Sequence, residues 1–527
     1  MISATISGAA LAELRAVVGA AHVAVDDTTR IAAGSDVFFE HAPPLAVVSP
    51  ATADEVRRVV MVAAKHGLTL APRGGGLSYS AAYLTDRADT LCIDTRRMNR
   101  IVEINAEDMV VHVEAGVTWA ALDAALAKHN LRTPFWGTGS GLHATVGATL
   151  SNNAANYGTG QYGMAADSAL GLRVVLADGS TLATGSWAAA DNPSPFVRHY
   201  GPDLTGLFIG DCGAFGIKTD IALQLIPRPA ATAHGAFEFA EVENFLVAMS
   251  AVGRAGIHAE CFGFDPAYMS FRNTHAAVGE DLQRLAGVAK SQGSVIKGIT
   301  EAIKVAAAGR RYLADAGYTL HMTVDGRDET NAQHGMAELI RMCLAAGGKE
   351  IPASIPKIMR GSPFPPPTLM LGPRGERWIP VHGIVPHSRA RAALDGVTTA
   401  MNARAADIER HNISWCWVSL PVGRSAILIE PTLYWHDRRS PMQDATLPPE
   451  FARKNDAFAP NPEARAVVHA LRQDVADVFR RLGAVHFQAG RSYPFLASRA
   501  TTTRDMLQSL KRLLDPSHRM NPGSLGL

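Results

Sequence analysis

The sequence lacks the features that mark several large classes of protein. Its five cysteines are scattered and contain no Cys-x-x-Cys pair, so a disulfide framework is not indicated and reduced thiols are expected. Basic residues (50) nearly balance acidic ones (49), which leaves no electrostatic footprint for nucleic acid. The chain has no apolar window of about 18 residues, and its N-terminus lacks the basic start of a signal peptide. These absences predict a cytoplasmic protein without a membrane span or a nucleic-acid partner.

Two common nucleotide-binding motifs are also missing. No Gly-x-Gly-x-x-Gly opens a helix and no Gly-x-x-x-x-Gly-Lys-Ser/Thr occurs, which argues against a Rossmann domain and a P-loop. The chain has instead Pro72-Arg-Gly-Gly-Gly76, directly after a helix and a short apolar run. Three successive glycines let backbone N–H groups converge on an anion, and Arg73 adds a permanent positive charge. The loop therefore predicts a pyrophosphate site.

Hydrophobic periodicity predicts an α+β protein without alternating βαβ units. Thr52 and Glu55 form a capping box for a helix that ends at Gly67. Further elements are predicted as strands at 90–94, 101–104, 109–114, 170–177, 181–183, 219–226, 321–324, 413–418 and 426–429, helices at 282–308, 390–411 and 461–482, and proline-rich loops at 352–373 and 441–461. Changes of composition divide the chain into a first domain at 1–229 (core 41–229), a second at 230–470 and a C-terminal segment at 471–527.

Four segments in order carry a resemblance to a known family. They are Pro72-Arg-Gly-Gly-Gly76, the run 145–153 (Thr-Val-Gly-Ala-Thr-Leu-Ser-Asn-Asn) with Tyr162-Gly163, the run 202–217, and Asn521-Pro-Gly523. With them the chain resembles the vanillyl-alcohol oxidase and p-cresol methylhydroxylase (PCMH) superfamily of FAD enzymes. The resemblance implies a PCMH-type FAD-binding domain of two subdomains, and an α+β substrate (cap) domain with an antiparallel sheet. It also implies that the C-terminal segment returns to the FAD domain.

The same resemblance implies which residues bind FAD. The loops at 73–78 and 145–153 would hold the pyrophosphate through N–H groups and small hydroxyls, and residues 213–217 would lie along the ribityl and adenine side. Asn521 would contact the cofactor from the C-terminal segment. The full set comprises Pro72, Arg73, Gly74, Gly75, Gly76, Leu77, Ser78, Thr145, Gly147, Ala148, Ser151, Asn152, Tyr162, Gly163, Gly213, Gly216, Ile217 and Asn521.

One departure from the family concerns covalent attachment of the flavin. Many members with covalent FAD have a histidine directly after the glycine loop, where this chain has Leu77. Leucine has no nucleophilic atom, so attachment there is excluded. Other members anchor FAD from the second domain, which leaves His436 and Tyr434 as alternatives. The expectation is non-covalent FAD.

Within the superfamily the sequence is most similar in style to the D-lactate dehydrogenase and glycolate oxidase-like branch. That branch's metal motif, His-x-Gly-Asp-Gly-Asn-x-His, is absent, so no metal is predicted. His382 and His387 could supply ligands together with Glu430, but two histidines satisfied within a loop are the favoured interpretation.

Candidate catalytic residues lie in the second domain and the C-terminal segment. Arg491 and Tyr493 are two apart on a run predicted to be extended, which would direct both side chains the same way. Arg491 could bind a carboxylate or stabilise a phenolate, and Tyr493 could donate to a substrate oxygen. Glu430, Tyr434 and His436 form the second candidate group, because an acid after an apolar strand implies a partner or a role.

The leading functional hypothesis is an FAD-dependent dehydrogenase or oxidase that acts on a CH–OH group of a small 2-hydroxy acid, D-lactate-like. The runner-up oxidises para-substituted phenols or benzylic alcohols, which would require tyrosines with an arginine to bind phenolate. A third hypothesis is a flavin electron-transfer subunit without its own substrate. The electron acceptor (oxygen, a cytochrome or a quinone) stays open. Superfamily members often form homodimers, and the sequence maps no interface.

Overall fold

The computed structural model describes residues 5–275, 317–449, 451 and 458–527, so the helix predicted at 282–308 lies outside the described residues. The described helices are α1 Gly8–Val18, α2 Asp27–Ala33, α3 Ala53–Lys65, α4 Trp119–Ala127, α5 Val146–Asn152, α6 Thr159–Tyr162, α7 Leu204–Leu207, α8 Val242–Ala255, α9 Pro266–His275, α10 Glu329–Ala345, α11 Ser354–Gly361, α12 Ala390–Asn402, α13 Ala405–Arg410, α14 Pro441–Thr446, α15 Pro462–Arg481 and α16 Thr501–Leu514.

The described strands are β1 Val23–Ala24, β2 Ala46–Val48, β3 Thr69–Arg73, β4 Thr90–Asp94, β5 Ile101–Asn105, β6 Val110–Glu114, β7 Leu131–Arg132, β8 Ala169–Val175, β9 Thr181–Ala183, β10 Ile217–Gln224, β11 Ile226–Pro227, β12 Ala231–Phe239, β13 Glu260–Phe264, β14 Tyr318–Gly326, β15 Lys349–Glu350, β16 Arg377–Pro380, β17 Gly383–Pro386, β18 Ser414–Val422 and β19 Ala426–Trp435.

The first sheet has the order β1-β2-β4-β3, and its strands β2, β4 and β3 are parallel. Helix α3 connects β2 to β3, so this part of the chain does contain a βαβ unit, and the expectation of none is wrong here. The three-residue β2 is too short for its burial pattern to be recognised in the sequence. Thr52 caps α3 as predicted, but the Glu55 carboxylate accepts from the N–H of Ala51 instead of that of Thr52.

The second sheet, β5-β6-β10-β8-β9, is antiparallel and contains both predicted hairpins. Strand β10 lies at its centre, between β6 and β8. The two small sheets therefore make up the first part of the chain. Strand β3 leads into the glycine loop at 74–76, and strand β10 follows the glycine-rich segment at 210–216.

The third sheet is antiparallel, with the order β15-β12-β14-β13-β18-β19-β16, and β17 also pairs with β19. Helices α8, α10, α12 and α15 cover one face of this sheet, and a large apolar core lies between them and the sheet. The opposite face carries Glu260, Phe262, His321, Glu430 and Tyr434, and we call it the inner face. It lies against the first part of the chain, since Trp136 Nε1 donates to Glu260 and Tyr157 contacts Phe262.

The C-terminal segment returns to the first sheet. The N–H of Leu70 donates to the carbonyl of Arg519, and the N–H of Asn521 donates to the carbonyl of Leu70. The domain boundaries remain a prediction, and that at 470/471 falls inside α15, which packs on α12.

Two proline-rich segments predicted as loops each contain a helix. Residues 352–373 include α11, and residues 441–461 include α14, whose N-terminus is capped by Ser440. Proline occupies the first position of α14, where its missing N–H costs no hydrogen bond. Across the described parts of the chain no helix is long and apolar enough to cross a membrane.

Candidate active site

The glycine loop leaves the carboxyl end of β3 and lies directly on residues 143–148. A Cβ on Gly74 would be 2.3 Å from Thr145 Oγ1, and one on Gly75 would be 2.2 Å from the carbonyl oxygen of His143. Only glycine therefore permits this approach. Among the described residues no acceptor takes the N–H groups of residues 75–78, so these donors remain available to a ligand.

The loop forms one wall of an open cavity between the two small sheets and the C-terminal segment, and the empty space in and at the mouth of this cavity is about 890 Å³. Small side chains and short hydroxyls predominate in its lining. The lining residues are Pro72, Arg73, Gly74, Gly75, Gly76, Leu77, Ser78, Ala82, Tyr83, Thr95, Ala115, Thr138, Ser140, Ala144, Gly147, Ala148, Thr149, Ser151, Asn152, Ala154, Cys212, Gly213, Gly216, Ile217, Lys218 and Gln488.

The cavity fits the FAD that the sequence implies. Arg73 lies 3.6 Å from Asp94, and its buried Nε has no hydrogen-bond partner among the described residues. Gln488 Oε1 is likewise buried and unpartnered within the described chain. Buried polar atoms without partners are rare, so a donor and an acceptor on the cavity wall indicate a polar ligand. Converging N–H groups beside a cation suit its pyrophosphate.

Besides Asn521, three of the predicted FAD residues support this wall and do not line it. Thr145 caps α5 and packs beneath Gly74. The Tyr162 ring lies under the guanidinium of Arg132, 5.8 Å away, and Gly163 adopts a φ of 87° beside Asp167. Their contacts are with protein atoms, which gives them a role in the shape of the loops.

Asn521 and Arg491 support the cavity wall through hydrogen bonds to its backbone carbonyls. Asn521 Nδ2 donates to the carbonyls of Ala82 (2.7 Å) and Cys212 (2.6 Å), both of which are lining residues. Arg491 donates to Asn521 Oδ1 and to the carbonyls of Ala81, Ala82 and Pro522. The contacts with Ala81, Ala82 and Cys212 join the C-terminal segment to the cofactor cavity, whereas those of Arg491 with Asn521 and Pro522 lie within that segment.

The premise that Arg491 and Tyr493 share an extended run is wrong. The segment is a turn in which the N–H groups of Ser492 and Tyr493 both point to the carbonyl of Ala489. The two side chains therefore diverge, Arg491 toward the C-terminal segment and Tyr493 toward the third sheet. Gly490, with a φ of 51°, lies against Ser80 and allows the turn.

An interruption of the third sheet brings Glu430 and His382 together. Strands β16 and β17 both pair with β19, and residues 381–382 bridge the gap between them. The gap lies opposite Pro431, whose ring nitrogen has no N–H to donate to a ladder. The N–H of Val381 still donates to the Pro431 carbonyl, so His382 is positioned beside Glu430.

Glu430 is an acid on the inner face whose pKa is raised by burial. Protein surrounds its carboxyl, and 17% of the side-chain surface remains accessible. Burial raises the pKa of Glu430 to about 7. An acid of that pKa near neutral pH can both take up and return a proton.

Tyr493 and His382 form the polar border of this site. The Tyr493 hydroxyl accepts the backbone N–H of His382 at 3.0 Å and lies 3.4 Å from His382 Nδ1. Glu430 Oε2 is 3.9 Å from the same Nδ1. Burial raises the pKa of Tyr493 to about 12 and holds the pKa of His382 well below its ordinary value, so both groups are neutral near pH 7.

Aromatic rings enclose the same space. Tyr79 packs edge-on against Trp378 at 5.7 Å and against His382 at 6.2 Å. Burial raises the pKa of Tyr79 well above its ordinary value, and charge on Glu430 raises it further. Tyr434 stands on the inner face opposite Trp378, and its ring is 4.4 Å from that of Phe271.

Two chain connections join this site to the cofactor cavity. Leu77 and Ser78 line the cavity, and Tyr79 follows them directly. Gln488 lines it from the C-terminal side, and the carbonyl of the preceding Phe487 accepts from His382 Nε2 at 2.6 Å. The Glu430 site therefore adjoins the cofactor cavity.

The structure separates His436 and His387 from this site. His436 follows the end of β19 and stacks on Phe458 with ring centroids 4.3 Å apart. His387 Nε2 lies 3.0 Å from the carbonyl of Arg424. Neither lines the cofactor cavity. In the described ranges no group of three or more His, Cys, Asp or Glu side chains is arranged to hold a metal ion.

A buried ionic cluster connects the inner face to the FAD-binding part. Arg360 of α11 bonds to Glu260 at 2.7 Å and also to Asp325, and Arg132 bonds to Asp325 at 2.7 Å. Trp136 lies under the Arg360 guanidinium, with 5.0 Å to the centroid. Two cations and two acids thus link β7, β13, β14 and α11.

Several residues of the site escaped the sequence analysis. Tyr79 lies three residues after the last glycine of the loop, and this proximity to the motif could have indicated a place near the cofactor. His382 was interpreted as a histidine satisfied within a loop, with a metal ligand as the alternative, and not as part of a catalytic site. Gln488 carries no local signal, because it reaches the cavity through a turn about 400 residues beyond the glycine loop in the chain.

Comparison with known proteins identifies the cofactor. Residues 44–185 match the family model described as an FAD binding domain. The mitochondrial D-lactate dehydrogenase [cytochrome] 1 of Saccharomyces cerevisiae is 26% identical over 241 residues, which is 44% of this chain and 39% of that protein. Glycolate oxidase subunit GlcD of Bacillus subtilis is 30% identical over 186 residues, 35% of this chain and 38% of that protein. The alignments thus span about two fifths of these relatives.

The whole fold has a solved counterpart. p-Cresol methylhydroxylase with substrate bound superposes with a TM-score of 0.72 at 16% identity, covering 99% of this chain and 98% of that chain. The expected PCMH-type fold and the expected FAD cofactor are therefore confirmed.

Proposed function

We propose that this chain, which carries a PCMH-type FAD-binding domain, is an FAD-dependent oxidoreductase that removes a hydride from a CH–OH donor, with Glu430 accepting the hydroxyl proton. The observation that carries the proposal is a carboxyl on the inner face beside the cofactor cavity, 3.9 Å from His382, whose pKa burial raises to about 7. A general base works best when its pKa is near the operating pH.

Different residues serve cofactor binding and proton transfer. The N–H groups of 75–78 and Arg73 would hold the pyrophosphate, and bound FAD supplies the hydride acceptor. Ionised Glu430 takes the proton of the donor hydroxyl, so the carbon–oxygen double bond can form as the hydride leaves. The surrounding rings of Tyr79 and Trp378 exclude water from the exchange.

A small 2-hydroxy acid is the first substrate class. Its support is the similarity of the FAD-binding part to proteins named D-lactate dehydrogenase and glycolate oxidase. Such a substrate needs a cation for its carboxylate, and Arg472 is the nearest candidate. Arg472 lies over the Tyr493 ring at 5.3 Å, and its buried Nε has no partner within the described chain.

A second class, para-substituted phenols or benzylic alcohols, is favoured by the aromatic enclosure. Tyr79 and Tyr493 stand on either side of His382, and Arg472 acts on both hydroxyls by lowering their pKa against the effect of burial. This is the combination of tyrosines with an arginine that phenolate binding requires. Two tyrosines and a tryptophan also suit a flat ring.

The proposal also covers the attachment of FAD, the cellular compartment and the alternative of an electron-transfer subunit. FAD is bound without a covalent link, since Leu77 occupies the position next to the glycine loop and lines the cavity. The enzyme works in the cytoplasm with a small-molecule substrate. A protein with a buried proton acceptor beside the flavin has its own substrate, which argues against a pure electron-transfer subunit.

The test is anaerobic bleaching of the bound flavin near 450 nm by D- and L-2-hydroxy acids, para-alkylphenols and benzylic alcohols. Acid precipitation of the same protein then separates free from attached flavin. Bleaching by any alcohol supports CH–OH oxidation, and the class that bleaches fastest identifies the substrate. Absence of bleaching by the entire panel, with FAD bound, would contradict the proposal. Yellow colour in the pellet would contradict non-covalent binding.

A further inference from the structure

The tautomer of His382 is determined by its partner. His382 Nε2 lies 2.6 Å from the Phe487 carbonyl, and a carbonyl oxygen can only accept. Nε2 therefore carries the proton and Nδ1 presents a lone pair. The ring stacks on that of Phe487 with centroids 3.8 Å apart, and the residue is fully buried. The ring cannot turn without losing both contacts.

Two hydroxyl-bearing groups face this lone pair. The Tyr493 hydroxyl is 3.4 Å away, and Glu430 Oε2 is 3.9 Å away. The Tyr493 hydroxyl oxygen accepts the backbone N–H of His382 and keeps its own proton, which it donates to Nδ1 while Glu430 is ionised. The structure gives the Glu430 carboxyl no other hydrogen-bond partner among the described side chains, and burial is the only cause of its raised pKa.

The protonation state of Glu430 determines whether its Oε2 and His382 Nδ1, 3.9 Å apart, repel or attract each other. With Glu430 ionised, an oxygen lone pair faces a nitrogen lone pair, and a separation beyond hydrogen-bond distance follows. With Glu430 protonated, its O–H can replace that of Tyr493 as the donor to Nδ1 after a movement of about 1 Å. The site can thus distinguish the two states of the acid.

We propose that His382 is a positioning residue for Glu430, whose Nδ1 accepts a hydrogen bond from the protonated carboxyl and holds it where it received the proton. The inference rests on the proposed function only for the source of that proton. The bond itself belongs to the folded protein and is measured without substrate.

Other titratable and charged groups also face Glu430 or its neighbours. Tyr79 approaches from the glycine-loop segment and Tyr493 from the C-terminal segment. His486 stacks on Tyr493 at 4.0 Å and donates to the His382 carbonyl, and Arg472 packs on the same tyrosine. These groups stay in place in the variants below, so a difference between the variants reports on His382.

The experiment is infrared difference spectroscopy of the carboxyl C=O band of Glu430 across pH, with Glu430→Gln to assign the band. His382→Gln keeps a polar group near the Phe487 carbonyl and removes the acceptor facing Glu430. His382→Asn keeps an acceptor near the position of Nδ1. Losing a hydrogen bond to the protonated acid should lower the titration midpoint by roughly half to one pH unit in His382→Gln. The midpoint in His382→Asn should stay near that of the wild type.

Equal midpoints in the wild type and His382→Gln would overturn the inference. If neither variant folds, the wild-type band decides, because a carboxyl bonded to a ring nitrogen absorbs at lower frequency than an unbonded buried one. Failure of the proposed function is distinguishable. Flavin reduction that persists in Glu430→Gln removes the role of Glu430 as base, whereas the infrared result still reports on its bond to His382.

Discussion

The cofactor cavity and the Glu430 site adjoin each other but are built in opposite ways. The cavity wall consists of backbone and small side chains from a few continuous segments, above all 72–78, 144–152 and 212–218. The Glu430 site consists of large titratable side chains from distant segments, including Tyr79, His382 and Tyr493. Backbone groups and small side chains, which many different sequences can provide, are enough to bind a cofactor. Proton transfer depends instead on one carboxyl and its surroundings.

The largest expected effect separates chemistry from cofactor binding. Glu430→Gln should slow flavin reduction by about 100- to 10,000-fold, the usual contribution of a general base, while the protein keeps its FAD. Stopped-flow reduction with the best substrate of the panel measures the rate, and the 450 nm absorbance measures FAD content. The matched control is Glu350→Gln, an exposed glutamate at the edge of the same sheet. Equal rates in the two variants would remove Glu430 from the chemistry.

The next effect concerns the cluster that joins the two regions. Arg360→Ala leaves Glu260 and Asp325 buried with one cation fewer, and should reduce the free energy of unfolding by about 3–5 kcal/mol. Chemical denaturation of the FAD-loaded protein measures the loss. Arg391→Ala removes an exposed arginine that pairs with Glu243 and Asp395, and should have a much smaller effect because solvent screens exposed ion pairs. Similar losses would mean that the cluster does not link the regions.

A third variant acts on the cofactor side alone. A Cβ on Gly75 would meet the His143 carbonyl at 2.2 Å, so Gly75→Ala must displace the loop. Its FAD dissociation constant should rise about 10- to 100-fold, in line with the cost of overpacking. Gly139→Ala is the control, because nothing lies within 4 Å of its added Cβ. Fluorescence of released FAD gives both constants, and an unchanged value for Gly75→Ala would contradict the close packing.

The smallest effect is a pH dependence specific to the Glu430 site. The rate of flavin reduction should rise with pH around a midpoint near 7, because Glu430 acts as a base only when ionised. Stability should move in the opposite direction. Folding raises this pKa from 4.5, so the native protein binds the proton more tightly than the unfolded chain does. The free energy of unfolding therefore falls between about pH 4.5 and 7.

Glu430→Gln provides the comparison for both measurements. It should flatten the rate profile and remove that part of the stability loss, as followed by thermal unfolding at several pH values. FAD content should stay constant over the same range, since the glycine loop contributes backbone donors that do not titrate. A rate midpoint that is unchanged in Glu430→Gln would assign the titration to another group.

Sequence-based prediction was most specific where the chemistry is local. Residues 72–78 and 147–152 were assigned to the cofactor because glycines and small hydroxyls in one loop offer a surface for an anion, and the FAD cofactor itself is confirmed. The hairpins and the strand at 90–94 followed from alternation and turn residues. Glu430 was found as an acid at the end of an apolar run. In each case a few neighbouring residues contain the whole signal.

It failed where distant segments meet. Arg491 was expected beside Tyr493, but the turn after Ala489 sends it to Asn521 instead. The strand β2 was missed because three residues carry too little pattern, and with it the βαβ unit. Tyr79 was not singled out, since only its contact with Trp378 and His382 gives it a place in the site.

The sequence by itself determined that residues 74–76 are glycines and that position 77 is aliphatic, and it predicted the FAD cofactor, because close backbone approach and missing nucleophilic atoms are properties of residue types. Only the tertiary structure decided the state of Glu430. A carboxyl's pKa depends on the water that folding removes and on the groups that folding brings near. Here those groups come from opposite ends of the chain, and the gap in the third sheet opposite Pro431 aligns them.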